Sequence, residues 1–262
     1  MQWRGRWRQG LLLFILLFLP GPFSVAAADR AITIVAENDW FPYASDQDGQ
    51  PVGMAVDLVR AAFAAAGAEL ELVIQPYARC LEGLELGRQA GCFNTIREPA
   101  NEARFLFHAA PLFSARILIV APADSTASGL GPLDLEGQAV AVTNGYTYDE
   151  PFQSSTRVDK DVASSDLAVL RLVALKRVPY GVIYEQVMAH LMSQHGGELA
   201  GNIKVVGVLS QPDLYVSFSR IHPDTPRAIA ALDRGLALIR ADGTYDEITR
   251  RWATQFNLVG GN

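Results

Sequence analysis

The chain has 262 residues, of which 28 are acidic and 22 are Lys or Arg, and its formal net charge is −6. This acidic balance argues against binding to nucleic acid or to an anionic membrane surface. Half of the residues are hydrophobic, which is enough to build the core of one large domain or of two smaller lobes.

The first 28 residues predict a secretory signal peptide. Three arginines precede an apolar run over residues 11–19, and three alanines at 26–28 provide a cleavage site. A positive head, a short apolar segment and small residues are typical of such a leader. The alternative is a retained anchor, but the run is short for a membrane span. We therefore expect a periplasmic protein that begins at Asp29.

The first predicted strand of the mature chain ends on a charged side chain. Residues 32–36 are apolar or β-branched, which favours a buried strand, and Glu37, Asp39 and Trp40 follow directly. Ligands of open α/β sheets bind outside the carboxyl ends of the strands. Glu37 and Trp40 are therefore candidate site residues. The alternative is a solvated loop charge beside a ring that covers the core.

Helix and strand patterns alternate after this strand. Val56, Val59 and Phe63 share one helical face, and Gly67 ends that helix. The pattern continues with a strand at 70–74, a short helix at 79–86 and a strand at 91–94. Such alternation predicts parallel βαβ units with right-handed crossovers. Their strand ends meet at one rim, which brings Glu37, Tyr77, Asn94 and Thr95 together.

A segment rich in Pro, Ser and Gly at 122–132 marks a boundary. A second α/β pattern follows, in which Ser164, Ser165 and Asp166 are candidate caps of one helix. Its predicted elements are strands at 139–142, 181–184 and 203–208 and helices at 167–174 and 185–192. Two C-terminal helices, separated at 242–243, complete the prediction.

Cys80 and Cys92 can form a disulfide in an oxidising compartment. The bridge would stabilise the chain by about 3 kcal/mol through the entropy of the closed loop. Cys80 is predicted near a helix start and Cys92 in the next strand, at different heights in the fold. The sequence therefore leaves both the bridged and the reduced form open.

Motifs of metal and cofactor chemistry do not occur. The four histidines and two cysteines are scattered and match no zinc spacing. There is no nucleophile elbow, phosphate loop or dinucleotide fingerprint. We predict neither a metal site nor a cofactor.

Four segments in order resemble the bacterial family 3 extracellular solute-binding proteins. They are the strand that ends on Glu37, DGQPVGMAVDLVRAAFAAAG from residue 48, LEGQAVAVTNG from residue 135 and LIRADGTYDEITRRW from residue 238. The resemblance implies an α/β, two-lobe, type II periplasmic binding protein fold whose lobes are joined by two hinge crossings, near 118–122 and 211–218. Lobe 1 would contain residues 29–119 and 214–262, and lobe 2 residues 120–213.

The same resemblance implies a function without catalysis. Members capture small polar solutes, often amino acids, and deliver them to the permease of an ATP-binding-cassette importer. We therefore expect a monomer that binds a small-molecule ligand and a membrane permease. The expected ligand is an amino acid or an amino-acid-like compound, and aromatic compounds of this kind are among the candidates.

Family site residues transfer to this chain position by position. Glu37 matches the carboxylate that receives an ammonium group, and Trp40 matches the aromatic that packs on the ligand. Asn94 and Thr95 match the polar end of the third strand. Residues 144–147 match a stretch whose backbone N–H groups, at a helix N-terminus, favour an anion.

Two positions depart from the family pattern. Asn101 stands where the family has the arginine that binds an α-carboxylate, so Arg97 or Arg79 is the predicted substitute. The acid of the second lobe aligns with Tyr184, and Glu185 is one residue away. Several tyrosines favour a ring-bearing ligand or a cation held over ring faces. The complete set of candidate ligand-binding residues is Glu37, Trp40, Tyr43, Tyr77, Arg79, Asn94, Thr95, Arg97, Asn144, Gly145, Tyr146, Thr147 and Tyr184.

Two other functions remain open. The fold also carries dehydratases of ring-bearing acids, in which Glu37 or Glu185 would be a general acid. The chain could also sense a ligand and signal to a separate membrane receptor, because sensing and transport need the same cleft.

Overall fold

The structure is a computed structural model that describes Met1 and residues 30–256. The cleavage site and the apolar run of the predicted signal peptide lie outside the described residues. Within residues 30–256, no helix is long and apolar enough to cross a membrane.

The first lobe contains two separate stretches of the chain. Its elements are β1 Ile32–Glu37, β2 Asp39–Trp40, β3 Ala44–Gln47, β4 Gln50–Val52, α1 Met54–Ala65, β5 Leu70–Gln75, α2 Tyr77–Glu85, β6 Gly91–Ile96, α3 Pro99–Arg104, β7 Leu106–Phe107 and β8 Phe113–Ser114, and later β14 Asp213–Phe218, α7 Thr225–Ala241 and α8 Thr244–Phe256. The sheet order is β5-β1-β6-β14-β7, with β8 on β14. β1 is parallel to both β5 and β6, as the alternating pattern predicts.

The second lobe is formed by the residues between these two stretches. Its elements are β9 Ile117–Pro122, a 3₁₀ turn at Pro132–Leu135, β10 Ala139–Thr143, β11 Asp159–Ala163, α4 Asp166–Ala174, β12 Tyr180–Tyr184, α5 Glu185–Gln194, α6 Gly196–Leu199 and β13 Ile203–Ser210. Its sheet has the order β11-β10-β12-β9-β13. β10 is parallel to β11 and β12, whereas β9 is antiparallel to β12 and β13.

The two lobes are joined where the chain crosses between the sheets, at residues 115–116 and 211–212. The crossings are bonded to each other, because the backbone N–H of Ala115 donates to the carbonyl of Pro212 at 3.0 Å. Residues 118–122, predicted as the first crossing, instead belong to β9, which is fully buried and paired on both sides. The predicted boundary between residues 119 and 120 therefore falls inside a strand.

The C-terminal helices pack on the first lobe. A Cβ atom at Gly235 of α7 would lie 1.9 Å from the carbonyl oxygen of Ala62 in α1, so glycine lets the two helices approach closely. Asp57 of α1 accepts hydrogen bonds from Arg251 and from the indole of Trp252 in α8, both at 2.8 Å. These contacts return residues 225–254 to the lobe that the N-terminal strands began.

Cys80 and Cys92 form a disulfide, with their Cα atoms 6.1 Å apart, a usual separation for a bridged pair. The prediction that they lie at different heights is wrong. The helix α2 packs back on β6, so that Cys80 and Cys92 are both fully buried in one small cluster.

Candidate ligand-binding site

The carboxylate of Glu37 lies at the end of β1 in a narrow pocket between the two lobes. Only 4% of Glu37 is exposed to solvent. The pocket is lined from the first lobe by Glu37, Trp40, Tyr77, Asn94 and Ile96, and from the second lobe by Tyr146, Thr147 and Tyr184. The structure therefore brings together seven of the thirteen side chains named by sequence.

Four aromatic rings form the walls of this pocket and meet across the cleft. The ring centroids of Trp40 and Tyr184 are 4.8 Å apart at an interplanar angle of 89°, and those of Tyr77 and Tyr146 are 5.8 Å apart at 87°. Tyr146 and Tyr184 are separated by 6.2 Å. We call these four residues the ring box. Because each lobe contributes two of its walls, the box exists only when the lobes are closed.

A second carboxylate, that of Asp166, lies in an adjoining cavity that Glu37, Tyr77 and Tyr146 also line. Asp166 is the first residue of α4 and is buried. It accepts hydrogen bonds from the hydroxyl of Thr143 at 2.6 Å and from that of Tyr146 at 2.9 Å. From the sequence, Asp166 was predicted only as a candidate helix cap.

The capping role belongs to Ser165 instead. Its hydroxyl accepts the backbone N–H of Ala168 at 3.2 Å, which leaves the Asp166 side chain free to point into the cleft. The sequence did contain a signal that Asp166 could face the cleft: it is an acid directly after a capping serine, at the start of a helix of the second lobe.

Both carboxylates have raised pKa values because they are removed from water. Burial raises the pKa of Glu37 well above its usual value, and the charges of Asp166 and Asp39 raise it further. Burial also raises the pKa of Asp166 to about 6, although the hydrogen bonds from Thr143 and Tyr146 oppose the rise. Neither carboxylate has a basic partner among residues 30–256.

Two polar side chains of the pocket lack partners. The indole nitrogen of Trp40 and both amide atoms of Asn94 are buried without a hydrogen bond. The Asn94 amide lies close enough to Glu37 to lower its pKa in part, but the contact does not have hydrogen-bond geometry. Asn94 also has a φ of 59°, an uncommon conformation for a non-glycine residue. Unpaired buried polar atoms of this kind are costly unless a ligand satisfies them.

Thr95 lies behind the pocket and does not line it. Thr95 is fully buried. Its hydroxyl accepts a hydrogen bond from the hydroxyl of Tyr77 at 3.2 Å and shares one of 2.7 Å with the hydroxyl of Ser217 in β14. Thr95 thus orients one wall of the ring box.

The arginines predicted to replace the family's carboxylate-binding residue lie outside the pocket. Arg79 is exposed on α2. Arg97 points to the surface, where it pairs with Glu102 at 2.6 Å. Asn101 is buried and donates its amide to the carbonyl of Ile96 at 2.9 Å. Neither predicted substitute lines the pocket, because Arg79 lies on the exposed face of α2 and the Arg97 side chain turns outward after β6.

Tyr43 and Glu185 belong to a different region, a groove beside the hinge crossings. Tyr43 is buried and stacks on Phe113 at 4.8 Å. Glu185 pairs with Arg116, with one hydrogen bond of 3.0 Å. Glu185 starts α5, directly after Tyr184, so the two side chains leave the chain in different directions.

The loop at residues 144–147 begins no helix, contrary to the expectation of an anion-binding helix N-terminus. The N–H of Asn144 donates to Ala163 at 2.9 Å, and the N–H of Tyr146 donates to Thr143 at 3.2 Å. Gly145 has a φ of +79°, and a Cβ atom there would lie 2.9 Å from that of Ala78. Asn144 and Gly145 therefore line the rim of the closed cleft.

Clusters of three or more His, Cys, Asp or Glu side chains able to hold a metal ion are not found among the described residues. Three carboxylates of the described residues line the pocket or the adjoining cavity: Glu37, Asp39 and Asp166. A ligand in the cleft would therefore meet mainly carboxylates and aromatic rings.

Comparison with known proteins gives one family match. The model of the bacterial extracellular solute-binding proteins, family 3, matches residues 32–255. No curated protein matches the chain.

Solved structures share the fold at low sequence identity. A histidine kinase sensor domain with similarity to periplasmic binding proteins has a TM-score of 0.75 and 22% identity, and the alignment covers 85% of this chain and 96% of that chain. A mutant of ArgBP from T. maritima has a TM-score of 0.70 and 18% identity, with coverage of 86% and 95%. The arginine-, lysine-, histidine-binding protein ArtJ from Geobacillus stearothermophilus has a TM-score of 0.68 and 18% identity, with coverage of 85% and 95%.

Proposed function

Because the chain belongs to the bacterial extracellular solute-binding proteins of family 3, we propose that it captures a small polar organic solute, such as an amino-acid-like compound, in the periplasm. The ligand is held in the cleft between the lobes and is passed to the permease of an ATP-binding-cassette importer. Export through the predicted signal peptide is part of this proposal.

The observation that carries the proposal is the position of Glu37. Burying a carboxylate without a partner is unfavourable, yet Glu37 is 4% exposed in a pocket to which both lobes contribute side chains. A ligand that supplies a donor or a positive charge offsets this cost. The same ligand also satisfies the unpaired amide of Asn94.

We assign ligand contact to eight side chains. They are Glu37, Trp40, Tyr77, Asn94, Tyr146, Thr147, Tyr184 and Asp166. The first seven come from the sequence prediction, and the structure adds Asp166. The two hinge crossings are short and hydrogen-bonded to each other, which suits lobes that open and close as rigid bodies around the ligand.

The first experiment is identification of a bound ligand. The mature protein is isolated from a bacterial periplasm, its small molecules are extracted and identified by mass spectrometry, and the protein is then freed of ligand by unfolding and refolding. Ligand at a hundred times its Kd adds about 2.7 kcal/mol of stability. We therefore expect a clear rise of Tm in a screen of amino acids, amines, acids and ring compounds.

The Glu37→Gln variant should lose this rise, whereas Glu102→Gln, which changes an exposed carboxylate of the same lobe, should keep it. A screen in which no compound raises the Tm of protein shown to be ligand-free contradicts capture.

A second candidate function is ligand sensing. It is favoured by the likeness to a histidine kinase sensor domain, which has a TM-score of 0.75. Deletion of the gene separates the two roles. Loss of uptake of the labelled ligand supports import, whereas unchanged uptake with a lost transcriptional response to the ligand supports sensing.

A further inference from the structure

Acidic side chains, and no basic ones among the described residues, line the ring box and the cavity beside it. Glu37 lines the ring box and Asp166 lines the adjoining cavity, whereas the arginines considered as substitutes, Arg79 and Arg97, lie on the outer surface of the first lobe. Over the described residues, no Lys or Arg lines the pocket or the adjoining cavity. A ligand carboxylate placed here would meet two carboxylates without a counter-charge.

The polar groups available to a ligand carboxylate are also partly occupied. In the loop at 144–147, the N–H groups of Asn144 and Tyr146 already donate to carbonyls of the same lobe. On the first lobe, the side-chain amide of Asn101 donates a hydrogen bond to the carbonyl of Ile96. The usual means of gripping an α-carboxylate, a charged bidentate arginine, is therefore missing from the cleft.

The walls of the box suit a cation. The rings of Trp40 and Tyr184, and those of Tyr77 and Tyr146, meet at nearly right angles and enclose the space beside Glu37. Cations are attracted to ring faces within about 6 Å of the centroid, and the attraction increases when water is excluded. With centroid separations of 4.8 to 6.2 Å the rings are in direct contact, so a guest must separate them as it enters and then lies against more than one ring.

The pocket also holds an unused hydrogen-bonding side chain. Asn94 is 6% exposed, and neither its amide oxygen nor its nitrogen has a partner. Its oxygen can accept an N–H or O–H group of a ligand that lies between the rings. An unpaired amide that needs both an acceptor and a donor suits an organic guest with its own hydrogen-bonding groups.

We propose that the ligand is a small organic cation without a carboxylate, such as a protonated amine, a guanidine or a quaternary ammonium compound. Glu37 and Asp166 supply the counter-charge, the ring box holds the cationic group, and Asn94 orients it. This inference rests on the proposed function, because it names the ligand class of the same cleft. It departs from the amino-acid ligands that the resemblance implies.

Matched pairs of compounds test the inference directly. Each amino acid is compared with the amine that lacks its carboxylate: arginine with agmatine, ornithine with putrescine, tyrosine with tyramine, and trimethylglycine with tetramethylammonium. Binding to the ligand-free mature protein is measured by calorimetry at one ionic strength. We expect at least one amine to bind ten times more tightly than its carboxylated partner, a difference of about 1.4 kcal/mol.

Two substitutions locate the binding. Glu37→Gln and Asp166→Asn should each weaken binding of the preferred amine at least tenfold, and Glu102→Gln should leave it unchanged. Tm and circular dichroism of each variant establish that it is folded. If both acid variants are folded and bind as the parent does, the cation is not held in the ring box and the inference is overturned.

The possible failures are distinguishable. If an amino acid binds as tightly as its amine or more tightly, the inference is overturned while solute capture stands. If neither the pairs nor a wider screen of sugars, acids and ring compounds yields binding, the capture function itself fails and the inference fails with it.

Discussion

Trp40 of the first lobe and Tyr184 of the second lobe meet edge to face across the cleft, with their ring centroids 4.8 Å apart. Trp40 follows the first strand of one sheet and Tyr184 ends a strand of the other. Their contact therefore records the closed arrangement of the lobes, and any ligand that enters the ring box must change the surroundings of both rings.

The fluorescence of Trp40 should report ligand binding. Removal of the predicted leader leaves Trp40 and Trp252 as the tryptophans of the chain, and Trp252 packs on the outer helices, where it donates to Asp57. A ligand should shift the emission of the parent protein and have no effect on the emission of Trp40→Phe. An equal shift in that variant would place the ligand elsewhere.

Gly145→Ala should weaken binding by hindering closure. The new methyl group would lie 2.9 Å from the Cβ of Ala78 on the other lobe, so the closed form becomes less favourable than the open one. The matched control is Gly201→Ala, because Gly201 has a similar φ of +77° and open space around it.

In both variants an alanine is placed at positive φ, which lowers the free energy of unfolding by about 1 kcal/mol. Without ligand, the two variants should therefore lose similar stability. Titration calorimetry should show weaker binding for Gly145→Ala alone. Equal affinities in the two variants would mean that Ala78 and Gly145 do not meet in the ligand-bound form.

Asp166→Asn should stabilise the ligand-free protein, and more so at high pH. The pKa of Asp166 is about 6 in the folded protein and near 3.8 when exposed. Between these values the folded state binds more protons than the unfolded state, so the free energy of unfolding falls as the pH rises. The full loss is of the order of 3 kcal/mol, and it is reached only well above pH 6, where Asp166 is ionised in both states.

Denaturant unfolding at pH 4.5 and pH 7.5 measures this effect as the difference between parent and variant at each pH. The control Asp124→Asn removes an exposed carboxylate whose pKa is lowered by Lys176, so its small effect should have the opposite sign. A constant difference between the parent and Asp166→Asn at both pH values would contradict the raised pKa of Asp166.

Loss of the disulfide should lower the free energy of unfolding by about 3 kcal/mol. Cys80 and Cys92 are 12 positions apart and buried in the cluster that joins α2 to β6. The measurement is unfolding of the oxidised protein and of the double variant Cys80→Ala/Cys92→Ala, which avoids exposed thiols. Two reactive thiols in oxidised, denatured protein would show that the bridge does not form.

The amino-acid sequence by itself determined the class of the fold and the position of Glu37 at the end of a buried strand. Alternating patterns predicted the parallel strands β1, β5 and β6 of the first sheet, and the apolar run before Glu37 predicted a buried strand that ends on a carboxylate. These features are local, because periodicity and strand ends depend on residues that are close in sequence.

Only the tertiary structure decided which polar groups share the cleft. Asp166 lies near Glu37 across the gap between the lobes, whereas Arg97, which follows β6, turns away from the cleft and pairs with Glu102. The disulfide likewise depended on how α2 packs on β6. Contacts between residues far apart in sequence are set by the packing of whole elements, and a one-residue change of direction moves a side chain from the cleft to the surface.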